Sequence, residues 1–123
     1  MILVDTSVWI DHLHSSEPGL VKLLGNTEVV QHPMVIGELA LGSLAKRTPV
    51  LDALSQLPEV TVASHAEVMH LVEKGRLYGQ GLSLVDAHLL ASVILTPGAL
   101  LWTRDKRLRT ASDARGVLYR PTK

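Results

Sequence analysis

Short apolar runs and longer mixed stretches alternate along this chain, and the alternation predicts its elements. The apolar runs predict buried strands at 2–5, 28–31, 59–63, 99–103 and 117–119. The stretches between them, bounded by proline, glycine and capping residues, predict helices. These helices are expected at 6–13, 18–25, 33–45, 49–57, 64–78, 84–95 and 106–112.

Strands that alternate with helices predict a parallel sheet with helices on both faces. We therefore expect an α/β fold, a three-layer α/β/α arrangement around a central parallel sheet of four to five strands. The chain has 123 residues, 46% of them hydrophobic, and a mean hydropathy of +0.22. Because this is enough for one proper core, residues 1–123 are predicted to form a single domain.

Four isolated acids stand in otherwise apolar or structural surroundings. They are Asp5 in ILVDTS, Glu38 in VIGELALG, Asp86 in LSLVDAHLLAS and Asp105 in LLWTRDKRL. A buried carboxylate is unfavourable unless it is paired, protonated or bound to a metal. Asp5 and Asp105 follow the carboxyl ends of two predicted strands, the edge at which open α/β sheets bind ligands. The pattern predicts a hydrolase with a site for a hard metal ion.

Three of the acids also have a structural interpretation, which the residues leave open. Asp5 and Asp105 each suit the N-cap of the helix that follows. Asp86 stands three residues after Ser83, the spacing of a capping box. Separate caps do not explain, however, why the acids are placed so that they can gather at one edge of the sheet.

Glu38 is the acid that is hardest to explain structurally. Its neighbours at helical spacing are apolar, so we expect its carboxylate to face the core or a cleft rather than bulk solvent. The structural alternative is a buried ion pair with Arg76 or Lys46.

Composition narrows the chemistry further. The chain has no cysteine, which excludes disulfides, zinc ribbons and thiol catalysis and fits a reducing compartment. An acid follows only three apolar residues after Met1, which does not suit a secretory signal, and no apolar run reaches the length of a membrane span. We therefore expect a soluble, cytoplasmic protein without a membrane partner. The six histidines share no metal-ligand spacing, and surface or satisfied structural roles are expected for them.

Charge is unevenly distributed, although the formal net charge is zero. The first 103 residues carry ten acids and five bases, whereas the last twenty carry seven bases and two acids. Those bases are Arg104, Lys106, Arg107, Arg109, Arg115, Arg120 and Lys123. A solvated basic face explains such a cluster, but an anionic partner explains it as well. Beside an acidic metal site, the cluster favours phosphodiester cleavage.

Taken in order, the four acid-bearing motifs resemble the PIN-domain ribonucleases, specifically the VapC-type toxins of toxin–antitoxin systems. MILVDTSVWID resembles the family's opening strand with its first acid, and VIGELALG its helix bearing the Glu. GLSLVDAHLLAS resembles its third acid at a helix start, and LLWTRDKRL its closing strand with the Thr-x-Asp motif. The resemblance spans nearly the whole chain and implies a PIN-like fold. Arg107 departs from it, because many relatives carry a further acid there.

The resemblance implies an endoribonuclease that depends on Mg²⁺ or Mn²⁺ and hydrolyses RNA with a metal-activated water, leaving a 5′-phosphate and a 3′-hydroxyl. Structured RNA such as tRNA or rRNA is the expected substrate. The residues expected to hold the metal and to carry catalysis are Asp5, Glu38, Asp86 and Asp105.

Two further sets of residues surround these acids. Thr6, Ser7 and Thr103 are expected to donate hydrogen bonds to the carboxylates, with helix capping and strand packing as the alternatives. Four bases that flank Asp105 are expected to contact RNA phosphates. They are Arg104, Lys106, Arg107 and Arg109.

The resemblance also implies a cognate antitoxin as partner, and a homodimer or a larger hetero-oligomer with that antitoxin. The leucine-rich N-terminal and middle helices are expected to supply a groove for the antitoxin and a face for the homodimer. The alternative function is a catalytically silent PIN-like module that keeps its acids for contact with RNA or protein. The presence of all four acids favours the enzyme.

Overall fold

The structure, a computed structural model, describes residues 1–121, so Lys123 lies outside the described residues. This part of the chain contains three strands and seven helices. The strands are β1 (Ile2–Val4), β2 (Val29–Val30) and β3 (Leu100–Trp102). The helices are α1 (Thr6–His14), α2 (Pro18–Gly25), α3 (Pro33–Leu41), α4 (Arg47–Ser55), α5 (His65–Lys74), α6 (Leu84–Leu95) and α7 (Lys106–Ala114).

The sheet is parallel and has the order β2-β1-β3. In its register Ile2 lies opposite Val29 on one side and Leu100 on the other. The chain moves from β1 to β2 in one direction and from β2 to β3 in the other. Because crossovers between parallel strands are right-handed, this reversal places the connecting helices on opposite faces of the sheet. The predicted α/β class with a layered parallel sheet is therefore confirmed.

The number of strands differs from the prediction. The two outer strands expected at 59–63 and 117–119 are each reduced to one parallel bridge in the described residues. The bridges pair Gln31 with Glu59 and Leu101 with Leu118. The sheet thus has three strands rather than four or five, with one extra pairing at each edge.

The outer segment at 59–63 pairs with the sheet at its start and is bonded to a helix on its other side. The Thr61 N–H donates to the Thr96 hydroxyl (3.1 Å) and the Ala63 N–H to the Ser92 hydroxyl (3.0 Å), both on α6. These two N–H groups alternate with that of Val60, which donates to the Gln31 carbonyl (2.9 Å), so they lie on the side of the segment that faces away from the sheet. The β-branched composition that predicted a strand does not report on acceptors supplied by a distant helix.

Helix α5 ends four residues earlier than predicted. The Leu77 N–H returns to the Val72 carbonyl (3.1 Å), and Arg76 adopts a left-handed conformation with φ 54°. This is the Schellman ending, in which the left-handed residue is usually glycine. Here an arginine fills that position, so the later glycines that predicted the end are not used for it.

Helices α3 and α4 also differ slightly from the prediction. Helix α3 ends at Leu41 because Gly42 is extended, with ψ −179°. Helix α4 begins at Arg47, two residues before the expected start. The two-residue difference at α4 is ordinary, whereas α3 ends four residues before its predicted end, which leaves Glu38 in the last turn of the helix.

The core is built from the strands together with buried apolar residues of all seven helices. Trp102, Leu3 and Leu101 of the strands and Leu89 and Leu90 of α6 are among the largest fully buried side chains. Helix α6 packs against β3, α5 and α7, while α3 packs against α1 and α4. No helix in residues 1–121 is long and apolar enough to cross a membrane.

Candidate active site at the carboxyl edge of the sheet

Asp5 lies at the carboxyl end of the central strand β1 and is 6% exposed. Its Oδ1 accepts from the Thr6 backbone N–H (2.8 Å). Its Oδ2 accepts from two hydroxyls, those of Thr103 (2.7 Å) and Ser7 (3.0 Å). Hydrogen bonds to both oxygens offset part of the desolvation that a buried carboxylate suffers. They also set the orientation of the group toward the edge of the sheet.

Asp105 is joined to Asp5 through Thr103. The Thr103 hydroxyl, which is fully buried, donates to Asp5 and accepts from the Asp105 backbone N–H (3.1 Å). Asp105 itself is the N-cap of α7, and its Oδ1 accepts from the Leu108 N–H (2.9 Å). One strand-end threonine therefore fixes the relative placement of two acids that are a hundred residues apart in the chain.

Glu38 is joined to Asp5 through Thr6. The Thr6 hydroxyl donates to Glu38 Oε1 (2.7 Å), while its backbone N–H donates to Asp5. Glu38 is exposed and lines a cleft between α1 and α3, so it faces a cleft as expected without being buried. Within residues 1–121 it forms no ion pair, and the alternative pairing with Arg76 or Lys46 is wrong.

Asp86 is held at the start of α6 by a capping box with Ser83. The Ser83 N–H donates to Asp86 Oδ2 (3.0 Å), and the Asp86 N–H donates to the Ser83 hydroxyl (3.0 Å). Burial, together with the charges of Asp105 and Asp5, raises the pKa of Asp86, although the bonds from Ser83 oppose the rise. The repulsion shows that these three carboxylates share one region.

The structural interpretation of the acids and the site interpretation hold together. Asp5 and Asp105 are N-caps and Asp86 belongs to a capping box, as the alternatives proposed. Each cap holds a carboxylate in one orientation at the start of a helix. Capping therefore supplies the rigidity that a site needs, and it does not compete with it.

The donor chemistry of the site suits a hard cation. No protein group in residues 1–121 donates a hydrogen bond to Asp86 Oδ1, Asp105 Oδ2 or Glu38 Oε2. The same residues contain no set of three or more acids or histidines already arranged as a metal-ligand shell. Mg²⁺ keeps several waters and needs only one or two direct carboxylates, so carboxylate oxygens that are free of protein donors fit it.

Arg104 is committed to an internal contact. Its guanidinium pairs with Asp11 of α1 and with Glu17 (2.6 Å), the N-cap of α2. Its backbone N–H donates to the Ser7 hydroxyl (3.1 Å). Both carboxylates raise the pKa of Arg104, the hydrogen bond to Asp11 most. This arrangement clamps the start of α1 to the loop that follows β3.

The other three bases expected at the RNA surface lie on α7. Lys106 and Arg107 are exposed and Arg109 is half-buried, and none of them forms an ion pair within residues 1–121. Arg107 lies against Gly81: a Cβ there would be 2.7 Å from its Nη1, and Gly81 has φ 77°. The cation is thus held beside the loop that leads to Asp86.

Sequence reasoning missed two groups of residues in and around the site. Asp11 and Glu17, the partners of Arg104, carry no signal that points to a residue 93 and 87 positions later. His32, buried at the start of α3 with both ring nitrogens bonded, has the satisfied structural role expected for the histidines, but its partner Ser92 was not anticipated. The position of His32 directly before Pro33 is the one available signal, because proline favours the first helical turn and leaves the preceding residue as N-cap.

Comparison with known proteins identifies the family. The PIN domain family matches residues 2–114. Two proteins named Ribonuclease VapC32, from Mycobacterium tuberculosis strains CDC 1551 / Oshkosh and ATCC 25618 / H37Rv, are each 56% identical over 117 residues, covering 95% of this chain and 94% of theirs. The crystal structure of PAE2754 from Pyrobaculum aerophilum has a TM-score of 0.59, covering 90% of this chain and 78% of that one; at 20% identity it supports the fold alone. The matched length, the identity to the VapC32 proteins and the shared fold show that this chain belongs to the PIN-domain family, as a member of its VapC type.

Proposed function

We propose that this chain is a divalent-metal-dependent endoribonuclease, the toxin of a toxin–antitoxin pair, which hydrolyses phosphodiester bonds of RNA. The observation that carries the proposal is the linkage of acids by hydrogen bonds: Thr6 joins Glu38 to Asp5, and Thr103 joins Asp5 to Asp105. The identity to Ribonuclease VapC32 over almost the whole chain supports RNA as the substrate.

Asp5, Glu38, Asp86 and Asp105 would together hold Mg²⁺ or Mn²⁺. The bound ion would supply a water of lowered pKa and offset charge that develops on the phosphate. The chain's own part is to keep the acids in place against their repulsion. Donors on both oxygens fix Asp5, and helix caps fix Asp86 and Asp105. Burial is the main reason that the pKa of Asp86 is raised, and a cation among the acids would relieve the smaller contribution from the charges of Asp105 and Asp5.

Contact with RNA would rest on charge and shape. Lys106, Arg107 and Arg109 stand on the helix that Asp105 caps, so a phosphate beside the acids would lie close to them. Trp9 and Trp102 are buried, and Trp102 packs on Tyr119 with ring centroids 5.3 Å apart. The tryptophans beside the motifs are therefore not placed for base stacking, which favours structured RNA such as tRNA or rRNA over an unpaired strand.

An antitoxin would bind where apolar side chains remain exposed beside the acids. A cleft of about 300 Å³ between α1 and α3 is lined by Ile10, Leu13, Leu39 and Leu44, with Glu38 among its walls. An apolar helix in this cleft would bury Ile10 and Leu13, which are 44% and 40% exposed. It would also reach the acid site, so binding and inhibition would be coupled in the cytoplasm, where we place the protein. A homodimer, alone or within a larger complex with the antitoxin, is part of the same proposal.

The test is RNA cleavage by the purified protein with Mg²⁺ or Mn²⁺, using a tRNA and rRNA pool. We expect products with 5′-phosphates and no cleavage after chelation. Asp86→Asn should lower the rate at least about 100-fold. Because the asparagine oxygen can still accept from Ser83, the capping box and the fold should survive. Asp52→Asn, an exposed change on α4, is the matched control and should cleave at the wild-type rate.

Cleavage that persists under chelation, or that is undiminished in Asp86→Asn, would contradict the metal mechanism. Binding of RNA by the wild-type protein without cleavage of any RNA would favour the alternative, a catalytically silent PIN-like module. End mapping of the products distinguishes hydrolysis with a 3′-hydroxyl from other routes.

A further inference from the structure

A second polar centre lies inside the core, formed by a histidine and a serine from different helices. His32 is 1% exposed and Ser92 is fully buried, and the two meet through His32 Nε2 and Ser92 Oγ at 3.1 Å. His32 is the N-cap of α3, the helix that carries Glu38. Ser92 lies on α6, the helix that carries Asp86. The contact therefore joins two helices that each present an acid.

The hydrogen-bond partners of His32 define which of its two ring nitrogens carries the proton. The Met34 N–H donates to His32 Nδ1 (3.0 Å), so Nδ1 is the acceptor and Nε2 carries the proton that goes to Ser92. Burial is the main reason that the pKa of His32 is lowered to about 4, followed by the charge of His88, so the ring is neutral near pH 7. The imidazole is thus a fixed, directional link between a helix start and a distant hydroxyl.

Ser92 uses its full hydrogen-bonding capacity at this centre. Its Oγ accepts from His32 and from the Ala63 N–H (3.0 Å), and donates to the His88 carbonyl one turn earlier (2.8 Å). Such a fully satisfied buried network has one arrangement and resists sliding of its members. The centre ties together α3, α6 and the segment that precedes α5.

The centre is placed symmetrically with respect to two acids. Glu38 follows His32 by six residues, and Asp86 precedes Ser92 by six. At a rise of 1.5 Å per residue, each acid stands about 9 Å along its helix from the link. A shift of one helix against the other would therefore be transmitted directly to the separation of the two carboxylates.

We propose that His32 is a positioning residue of the active site, which sets the spacing between Glu38 and Asp86 through its hydrogen bond to Ser92. This inference rests on the proposed metal-dependent activity and adds to it a determinant that touches neither metal nor RNA. A histidine held for packing alone would need no particular partner on α6. Here both ring nitrogens are used, one for each helix.

Two substitutions separate the halves of the imidazole. His32→Asn retains an oxygen near the position of Nδ1, which can cap α3, but is too short to reach Ser92. His32→Gln places a donor near the position of Nε2 and keeps the link to Ser92 while weakening the cap. Leu54→Ala, a cavity in the core at α4, is the control for lost stability without lost positioning.

The measurements are Mn²⁺ binding to each protein by electron paramagnetic resonance, without RNA, and the kcat and KM of RNA cleavage. We expect His32→Asn to weaken Mn²⁺ binding and lower kcat by about 10-fold each, with KM for RNA unchanged. His32→Gln should recover most of both. Ser92→Ala should resemble His32→Asn, and the double variant should lose little more, because the two changes break one contact.

Mn²⁺ affinity and kcat in His32→Asn and Ser92→Ala that match those of Leu54→Ala would overturn the inference. A loss in His32→Gln equal to that in His32→Asn would also overturn it, because the cap would then be the part that matters. If His32→Asn does not fold, Ser92→Ala and His32→Gln decide the question. Failure of the wild-type protein to bind Mn²⁺ and cleave RNA would instead refute the proposed function itself.

Discussion

Two buried polar centres, one around Asp5 and one around His32, differ in how their polar groups are satisfied within an apolar core. Both lie in a core of Leu and Val, and both join elements far apart in sequence. The Asp5 centre holds a carboxylate by donors on both its oxygens and turns it toward the edge of the sheet. The His32 centre holds a neutral ring whose two nitrogens both face the protein.

The difference concerns what each centre leaves available. At the Asp5 centre the donors approach a group that still has lone pairs for a ligand, and three neighbouring acids have an oxygen to which no described group donates. At the His32 centre every donor and acceptor of the ring and of Ser92 is used within the protein. A centre with free hydrogen-bond acceptors can bind a ligand, whereas a centre whose donors and acceptors are all used within the protein can only fix the geometry of the elements it joins.

The largest difference between the centres should appear in Asp5→Asn. We expect RNA cleavage to fall at least about 100-fold, against about 10-fold for His32→Asn, because the first removes a group proposed to hold the metal and the second only displaces such groups. Single-turnover cleavage rates measure both. Equal losses in the two variants would remove the distinction between acting and positioning.

The pH dependence of stability should report on the His32 centre. The folded pKa of about 4 lies below the ordinary value of 6.5, so between these pH values the unfolded state binds a proton that the folded state does not. Stability is therefore lost as the pH falls from about 6.5 to about 4, by up to about 3 kcal/mol. Urea unfolding across this window should show a shallower loss in His32→Asn. An unchanged slope would mean that His32 is not held neutral.

Removing one hydroxyl from each centre compares how much the two centres contribute to the free energy of unfolding. Thr103→Val leaves the Asp105 N–H without its acceptor, and Ser92→Ala leaves the Ala63 N–H in the same state. Each should lower the free energy of unfolding by about 1–3 kcal/mol, as measured by urea denaturation. Thr110→Val, which removes an exposed hydroxyl on α7, should change it by less than about 0.5 kcal/mol. If only one of the two variants loses stability, the hydroxyl of the other centre does not form the hydrogen bonds described for it.

The smallest expected effect concerns two surface arginines, one free to contact RNA and one paired within the protein. Arg107 forms no ion pair within residues 1–121, whereas Arg104 forms salt bridges with Asp11 and Glu17. Arg107→Ala should weaken RNA binding severalfold and reduce the salt slope of log K by about 1. Arg104→Ala should leave that slope nearly unchanged. Filter binding at several salt concentrations measures both, and a reversed order would assign the phosphate contact to Arg104.

Much of the fold was predictable because its signals are local. The bounds of α6, the capping box at Ser83 and the buried strands β1 and β3 all follow from residues within a few positions of each other. The contacts of the segment at 59–63 were not predictable in this way, because its Thr61 and Ala63 N–H groups donate to Thr96 and Ser92 of a distant helix. A local pattern contains no information on an acceptor thirty residues away.

The sequence by itself determined which residue types are present and their order: four acids in the PIN-domain arrangement, hydroxyls beside them, and a basic C-terminal segment. Tertiary structure alone decided which of these groups are joined. Thr103 and Thr6 link acids, Arg104 is closed within the chain, and His32 reaches Ser92 across sixty positions. The physical reason is the distance along the chain over which each kind of interaction acts. Propensity and capping act over a few residues, whereas the pairing of buried polar groups is chosen by the packing that brings them into contact.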